Sequence, residues 1–190
     1  AHGASQAYKM VGAETKAVGV LGDSTFFHSG ITSIMDSIYN QGHSISVILD
    51  NRITGMTGHQ QNPGSGFTLM GKEAPEVDIP ALLKAIGMKE ENIHTVNPNI
   101  LEEVDKALDA CIATDEPSVI ITRWPCVLKK FSQQDLDEFP TMNKHQCEID
   151  QDKCKSCGKC SQACSYSAIV KIQRPCMKSC PVSAITMDEH

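Results

Sequence analysis

Seven of the nine cysteines in this 190-residue chain lie at or beyond Cys147, while residues 1–143 hold only Cys111 and Cys126. Six of the seven form a dense pattern, Cys154-x2-Cys157-x2-Cys160-x3-Cys164 followed by Cys176-x3-Cys180-Pro181. A secreted disulfide scaffold spreads its cysteines along the chain it has to staple. Here a cysteine-poor segment precedes a cysteine-dense one, which points to a metal module in a reducing compartment. Three thiolates at equal short spacing, on a loop that curls around a cube, can each reach a different iron. Gly158 relieves crowding where the backbone passes close to such a cluster. Zinc ribbons instead separate two cysteine pairs by a long knuckle. The tail is therefore expected to hold a 4Fe–4S cluster.

The four-cysteine run has the spacing of bacterial ferredoxins, in which the fourth cysteine points toward a partner cluster and a remote Cys-Pro completes the first. The expected set is Cys154, Cys157, Cys160 and Cys180. Cys164 and Cys176 stay open between three readings: a disulfide or free thiols beside one cluster, a second cluster completed by cysteines beyond His190, or one cube ligated by the run alone. The second is favoured, because the chain starts at Ala1 in what reads as mid-domain helix and is expected to lack sequence at both ends. Two apolar repeats, Ser167 to Val170 and Ser183 to Thr186, follow cysteines at matching distances and suggest internal duplication.

The first part of the chain alternates apolar runs with helical patterns. Ala17 to Leu21 and Ser44 to Leu49 read as buried strands. Between them Phe27, Ile31, Ile34, Met35 and Ile38 recur at helical spacing, ending at Gly42. Asp78 is expected to cap a helix through Ala85 that closes at Gly87, and Asn99 another through Cys111; Ser118 to Thr122 is a further strand. Continuous apolar strands joined by helices imply a parallel sheet covered on both faces, an α/β fold. From Pro125 the pattern fades. The expected organisation is a domain over 1–131, a linker over 132–146 with a short helix from Ser132 to Phe139, and the cysteine module over 147–190. Net charge is −6 with Lys and Arg scattered singly, which argues against a nucleic-acid footprint. The longest apolar runs are too short to cross a bilayer.

A second constellation sits at the strand ends. Gly22-Asp23-Ser24 closes one strand and Asp50-Asn51 the next. Adjacent parallel strands end on one edge, so Asp23 and Asn51 can converge there on a hard cation that keeps phosphate oxygens among its ligands. A helix starting near Ser24 adds its positive end. The plainer alternative is that these are ordinary turn and cap residues. Met56 to Gln60 reads as a glycine-containing site loop, and Asn62 to Gly66 as its flexible continuation. His28 and His59 flank the site and could polarise a carbonyl or shuttle a proton. Arg52 is expected to face solvent, and Phe26 and Phe27 to pack the core.

These stretches resemble the thiamine diphosphate signature, Gly-Asp-Gly followed by Asn-Asn, with Ser24 and Asp50 as departures. With GDSTFFHSG (22–30) and LDNRITGMTGHQ (49–60), residues 1 to about 131 look like the large subunits of indolepyruvate:ferredoxin oxidoreductases, a branch of the 2-oxoacid:ferredoxin oxidoreductases. RPCMKSCPVSAI (174–185) is instead similar to a ferredoxin-type insert of iron-only hydrogenases. The resemblance implies a thiamine diphosphate domain followed by a small ferredoxin-like Fe–S domain. It implies Mg2+ held by Asp23, Asn51 and the carbonyl of Ile53, and cofactor contacts from Gly22, Ser24, Thr25 and Thr57, with His59 and His28 in catalysis. The implied reaction is oxidative decarboxylation of an aryl 2-oxoacid with coenzyme A, electrons passing to ferredoxin. The implied partner is a small β subunit, and the implied setting a reducing, anaerobic cytoplasm. Two other readings compete: an Fe–S adaptor docking on a hydrogenase without thiamine chemistry, and a non-oxidative 2-oxoacid decarboxylase, which leaves the cysteine module without a task.

Overall fold

The computed structural model describes residues 1–140, 145–150, 152–157 and 185–189. The chain divides into two compact units, Ala1–Ser132 and Gln133–His190.

The first unit is built on a four-stranded, wholly parallel sheet of order β1-β2-β4-β3, with β1 at Val18–Gly22, β2 at Ile45–Asp50, β3 at Ile93–Val96 and β4 at Ser118–Arg123. Around it lie α1 (His2–Met10), α2 (Asp23–Thr25), α3 (Ile31–Tyr39), α4 (Ile79–Ala85) and α5 (Leu101–Ala113). β1 passes straight into α2, and one wide π turn, Phe26–Gly30, joins α2 to α3. The stretch expected to be a turn and then a helix is thus helical from Asp23 onward, with an inserted bulge of the kind often found at functional sites.

Strand alternation divides the core in two. On one face Ile48, Val119 and Ile121 pack against Phe26, Ile34, Ile79 and Leu83. On the other, Ile45 and Ile120 pack against Ala107 and Cys111 of α5, with Val96. The second face is not covered throughout. Val18 and Val20 on edge strand β1, paired with Ile45 and Val47, are exposed, as is Leu49 opposite Gly22.

Helix ends are set by local chemistry. Asp78 accepts the Ala81 N–H (3.2 Å) to cap α4, which stops before Gly87 at φ +99°. The expected Asn99 cap of α5 is not formed. Ile100 occupies that position, the Asn99 N–H donates to Asn97, and Glu103 accepts the Asn97 N–H. At the other end, the Lys16 ammonium donates to the carbonyls of Cys111 and Thr114. Among the described residues no helix is long and apolar enough to cross a membrane.

In the second unit α6 spans Gln133–Glu138, and β5 (His145–Ile149) pairs antiparallel with β6 (Ile185–Glu189). In the sequence, β5 and β6 bracket the stretch that carries six cysteines.

Candidate functional site

The carboxyl edge of the sheet gathers the residues singled out in the sequence. Gly22 opposes Leu49 in register, so the residues that follow β1 and β2 emerge side by side. Asp23 is the first residue of the helix after β1 and is 2% exposed. Its Oδ1 accepts the Ser24 N–H at 2.6 Å. The Ile53 N–H donates to Asn51 Oδ1 at 3.1 Å and lies close enough to the Asp23 carboxyl to favour its charged form. The same backbone N–H beside both side chains places Asp23 and Asn51 together. Among the described residues, Asp23 Oδ2 is buried with no hydrogen-bond partner.

Burial pushes the Asp23 carboxyl up to about 6, and nearby Asp50 adds to the rise; the Ser24 and Ile53 N–H groups and Asn62 act in the opposite direction. Asp50 is itself paired, with Arg123 Nε at 2.8 Å. The Asn62 amide lies close enough to favour the Asp23 carboxylate, yet Nδ2 makes no well-aligned hydrogen bond. A buried carboxylate with one unpartnered oxygen, beside the amide oxygen of half-buried Asn51, offers the oxygen donors that a hard divalent cation takes.

The loop that follows Asn51 is tied at several points. The Cys126 N–H donates to the Asn51 carbonyl at 2.9 Å. The Thr54 hydroxyl donates to Ser24 Oγ at 3.0 Å, joining the two motifs. Residues 54–60 form a small hairpin closed by Thr54 and Gln60, with Met56, Thr57 and His59 exposed on it. His28 and Thr25 are exposed on the other motif. Neither histidine is hydrogen-bonded to Asp23 or Asn51 among the described residues.

Two expectations are overturned here. Arg52 does not face solvent: it is 3% exposed, at φ +56°, with Nη1 3.5 Å from Glu76. The stretch from Asn62 to Gly66 is not a flexible continuation. Gly64, Ser65 and Gly66 are buried, Asn62 Oδ1 accepts the Gly64 N–H at 2.9 Å, and the buried Lys129 ammonium donates to the Ser65 carbonyl. Phe26 and Phe27 do pack the core, edge to face with centroids 5.4 Å apart. Glu76 and Asn62 were missed in the sequence. Asn62-Pro63-Gly64 was a visible turn signal, whereas nothing local marks Glu76.

Residues 1–122 match the thiamine pyrophosphate enzyme C-terminal TPP-binding domain. The chain belongs to that thiamine pyrophosphate enzyme family. Residues 147–170 of this thiamine pyrophosphate enzyme chain match the 4Fe-4S binding domain. Similar curated proteins include the indolepyruvate oxidoreductase subunit IorA of Methanothermobacter marburgensis, 31% identical over 90% of this chain and 28% of that protein. The subunit of the same name from Archaeoglobus fulgidus is 32% identical over 81% of this chain and 28% of its own length. The chain thus spans a little over a quarter of these relatives. A solved 2-oxoglutarate:ferredoxin oxidoreductase from Magnetococcus marinus shares the fold (TM-score 0.57, 16% identity, 75% of this chain and 50% of that one).

Of the cysteines expected to bind iron, Cys160, Cys164, Cys176 and Cys180 lie outside the described residues. Cys154 is half-buried and donates its N–H to the Asp150 carbonyl at 3.0 Å; Cys157 is exposed. Ser156 between them takes φ +49°, a tight local curl of the backbone.

Proposed function

We propose that this chain supplies the cofactor-binding part of a thiamine diphosphate-dependent 2-oxoacid:ferredoxin oxidoreductase acting on an indolepyruvate-like aryl 2-oxoacid. The substrate loses CO2 and an electron pair, the acyl group leaves as a thioester of coenzyme A, and the electrons pass through 4Fe–4S centres to ferredoxin. The observation that carries this reading is the convergence of Asp23 and Asn51 beside the Ile53 N–H at the sheet edge, with Asp23 Oδ2 buried and, among the described residues, unpartnered. An electron-transfer adaptor would have no use for such a site. The similarity to subunits named for indolepyruvate oxidation supports the substrate class.

In this reading Asp23, Asn51 and the Ile53 carbonyl hold Mg2+. Ser24 and Thr25, in the first turn after Gly22, and Thr57 on the facing hairpin meet the diphosphate. The helical stretch that opens at Asp23 directs its positive end to the same edge. When bound, the cofactor supplies a carbon nucleophile for the 2-oxoacid carbonyl and a sink for the electrons released. Exposed His59 and His28 stand on the two sides of this edge, where a substrate carbonyl or carboxylate can reach them.

We assign 1–131 to the thiamine diphosphate domain, 132–146 to the linker and 147–190 to the Fe–S module, with Cys154, Cys157, Cys160 and Cys180 on one cluster. Cys164 and Cys176 belong to a second cluster or stand apart from the first. The partner is a small β subunit, and the setting a reducing, anaerobic cytoplasm. Asp23→Ala tests the core of the proposal: Mg2+-dependent binding of thiamine diphosphate by the assembled enzyme should be lost. Binding that survives the substitution sinks the metal assignment.

A further inference from the structure

Between Asn51 and Ile53 stands a residue that breaks a local rule. Arg52 has a Cβ and yet takes φ +56°, the left-handed region that side-chain-bearing residues avoid. Its side chain is buried, and so is that of its partner Glu76: the pair is 3% and 9% exposed with Nη1 to Oε2 at 3.5 Å. Glu76 is held in turn. The Ser132 hydroxyl donates to its Oε1 at 2.7 Å, and Gly66, at φ +79°, leaves it room, since a Cβ there would come within 2.6 Å of Oε1. A buried ion pair contributes little net stability, because desolvation offsets much of its attraction. Backbone strain persists where the surroundings over-determine it, and such places cluster at functional sites.

The position of the strain has a consequence for the ligands. The Asn51 carbonyl accepts the Cys126 N–H, while the N–H of the following peptide, that of Ile53, donates to the Asn51 side chain and lies beside the Asp23 carboxyl. A single left-handed residue is what turns the chain between these two peptide groups. If Arg52 relaxed toward the β region, the Ile53 peptide would rotate away from Asp23 and Asn51.

We propose that Arg52 is a positioning residue for the divalent cation: its buried pairing with Glu76 holds the left-handed turn that brings Asn51 and the Ile53 peptide to Asp23. The proposal rests on the thiamine diphosphate reading of the site. It separates backbone geometry from side-chain contact with the cofactor, because glycine adopts the left-handed region freely and alanine does not.

The test is equilibrium dialysis of thiamine diphosphate against the assembled enzyme at graded Mg2+, with thermal midpoints measured alongside. Arg52→Ala should raise the Mg2+ needed for half-saturation at least tenfold. Arg52→Gly should stay within about threefold of the parent, a backbone rescue. Glu76→Gln, which keeps the size and the acceptor for Ser132, should raise the Mg2+ requirement several-fold. The inference is overturned if Arg52→Ala lowers only the thermal midpoint at unchanged Mg2+ dependence, if Arg52→Gly is as impaired as Arg52→Ala, or if Glu76→Gln binds like the parent. Should Arg52→Ala fail to fold, the glycine and Glu76→Gln variants still decide. If the parent itself shows no Mg2+-dependent binding, or Asp23→Ala binds equally well, the functional reading fails instead.

Discussion

Burial holds the Asp23 carboxyl at about 6, well above its ordinary value near 3.8, so its charged form works against the fold. The sign follows from proton counting. Between about pH 4 and about pH 6 the native state keeps this proton while the unfolded chain has released it, so stability falls as pH rises through that window. Above it the full cost stands, on the order of 1–3 kcal/mol. Asp23→Asn should therefore raise the thermal midpoint of the chelator-treated protein at pH 7–8 and flatten its pH dependence below about 6, while abolishing divalent-cation binding. An unchanged or lower midpoint would mean that the carboxylate is already compensated by protein donors. Asp23 and Asn51 were legible in the sequence because two adjacent apolar runs end on them, and parallel strands deliver their ends to one edge. Arg52 was not. Its burial depends on Glu76, which reaches it from another loop, and a left-handed arginine leaves no mark on composition or period.

Elements whose ends are written in local chemistry were the readable ones. The helix α4 combines an Asp78 cap, a proline in its first turn and a left-handed Gly87 after its end, and it buries Ile79 and Leu83 in the main core. Asp78→Ala should cost about 1 kcal/mol, seen as a lowered urea midpoint with an unchanged slope. A null result would show that tertiary packing alone fixes the start of α4. The helix α5 resisted because Asn97, not Asn99, organises the turn before it: Asn97 Oδ1 accepts the Asn99 N–H, and the Asn97 N–H donates to Glu103 of the first helical turn. β3 went unread: Ile93-His94-Thr95-Val96 is four residues long with polar side chains in the middle, too short to show a period. The π turn at Phe26–Gly30 was hidden for the opposite reason, since one inserted residue barely disturbs an apolar repeat that resumes at Ile31.

At the scale of the molecule, cysteine distribution and strand–helix alternation were enough for the α/β class and for a metal module after it. The cluster count was not readable, because Cys164 and Cys176 fit more than one ligand set. Anaerobically reconstituted protein should carry about four irons per chain for one cluster and about eight for two; zinc without iron would overturn the module. The parallel sheet was expected to be covered on both faces, and that is where long-range arrangement departs from pattern: a run such as Ala17 to Leu21 looks the same whether or not something packs on it. The exposed Val18 and Val20 of edge strand β1 and Leu49 of its neighbour β2 share one face of the sheet, and among the described residues β1 pairs with β2 alone. An apolar face beside an open strand edge is the combination that natural proteins blunt with lysine, proline or a covering helix. Self-association through this face is the expected outcome for this polypeptide on its own, and a charged residue in place of Val20 should reduce it.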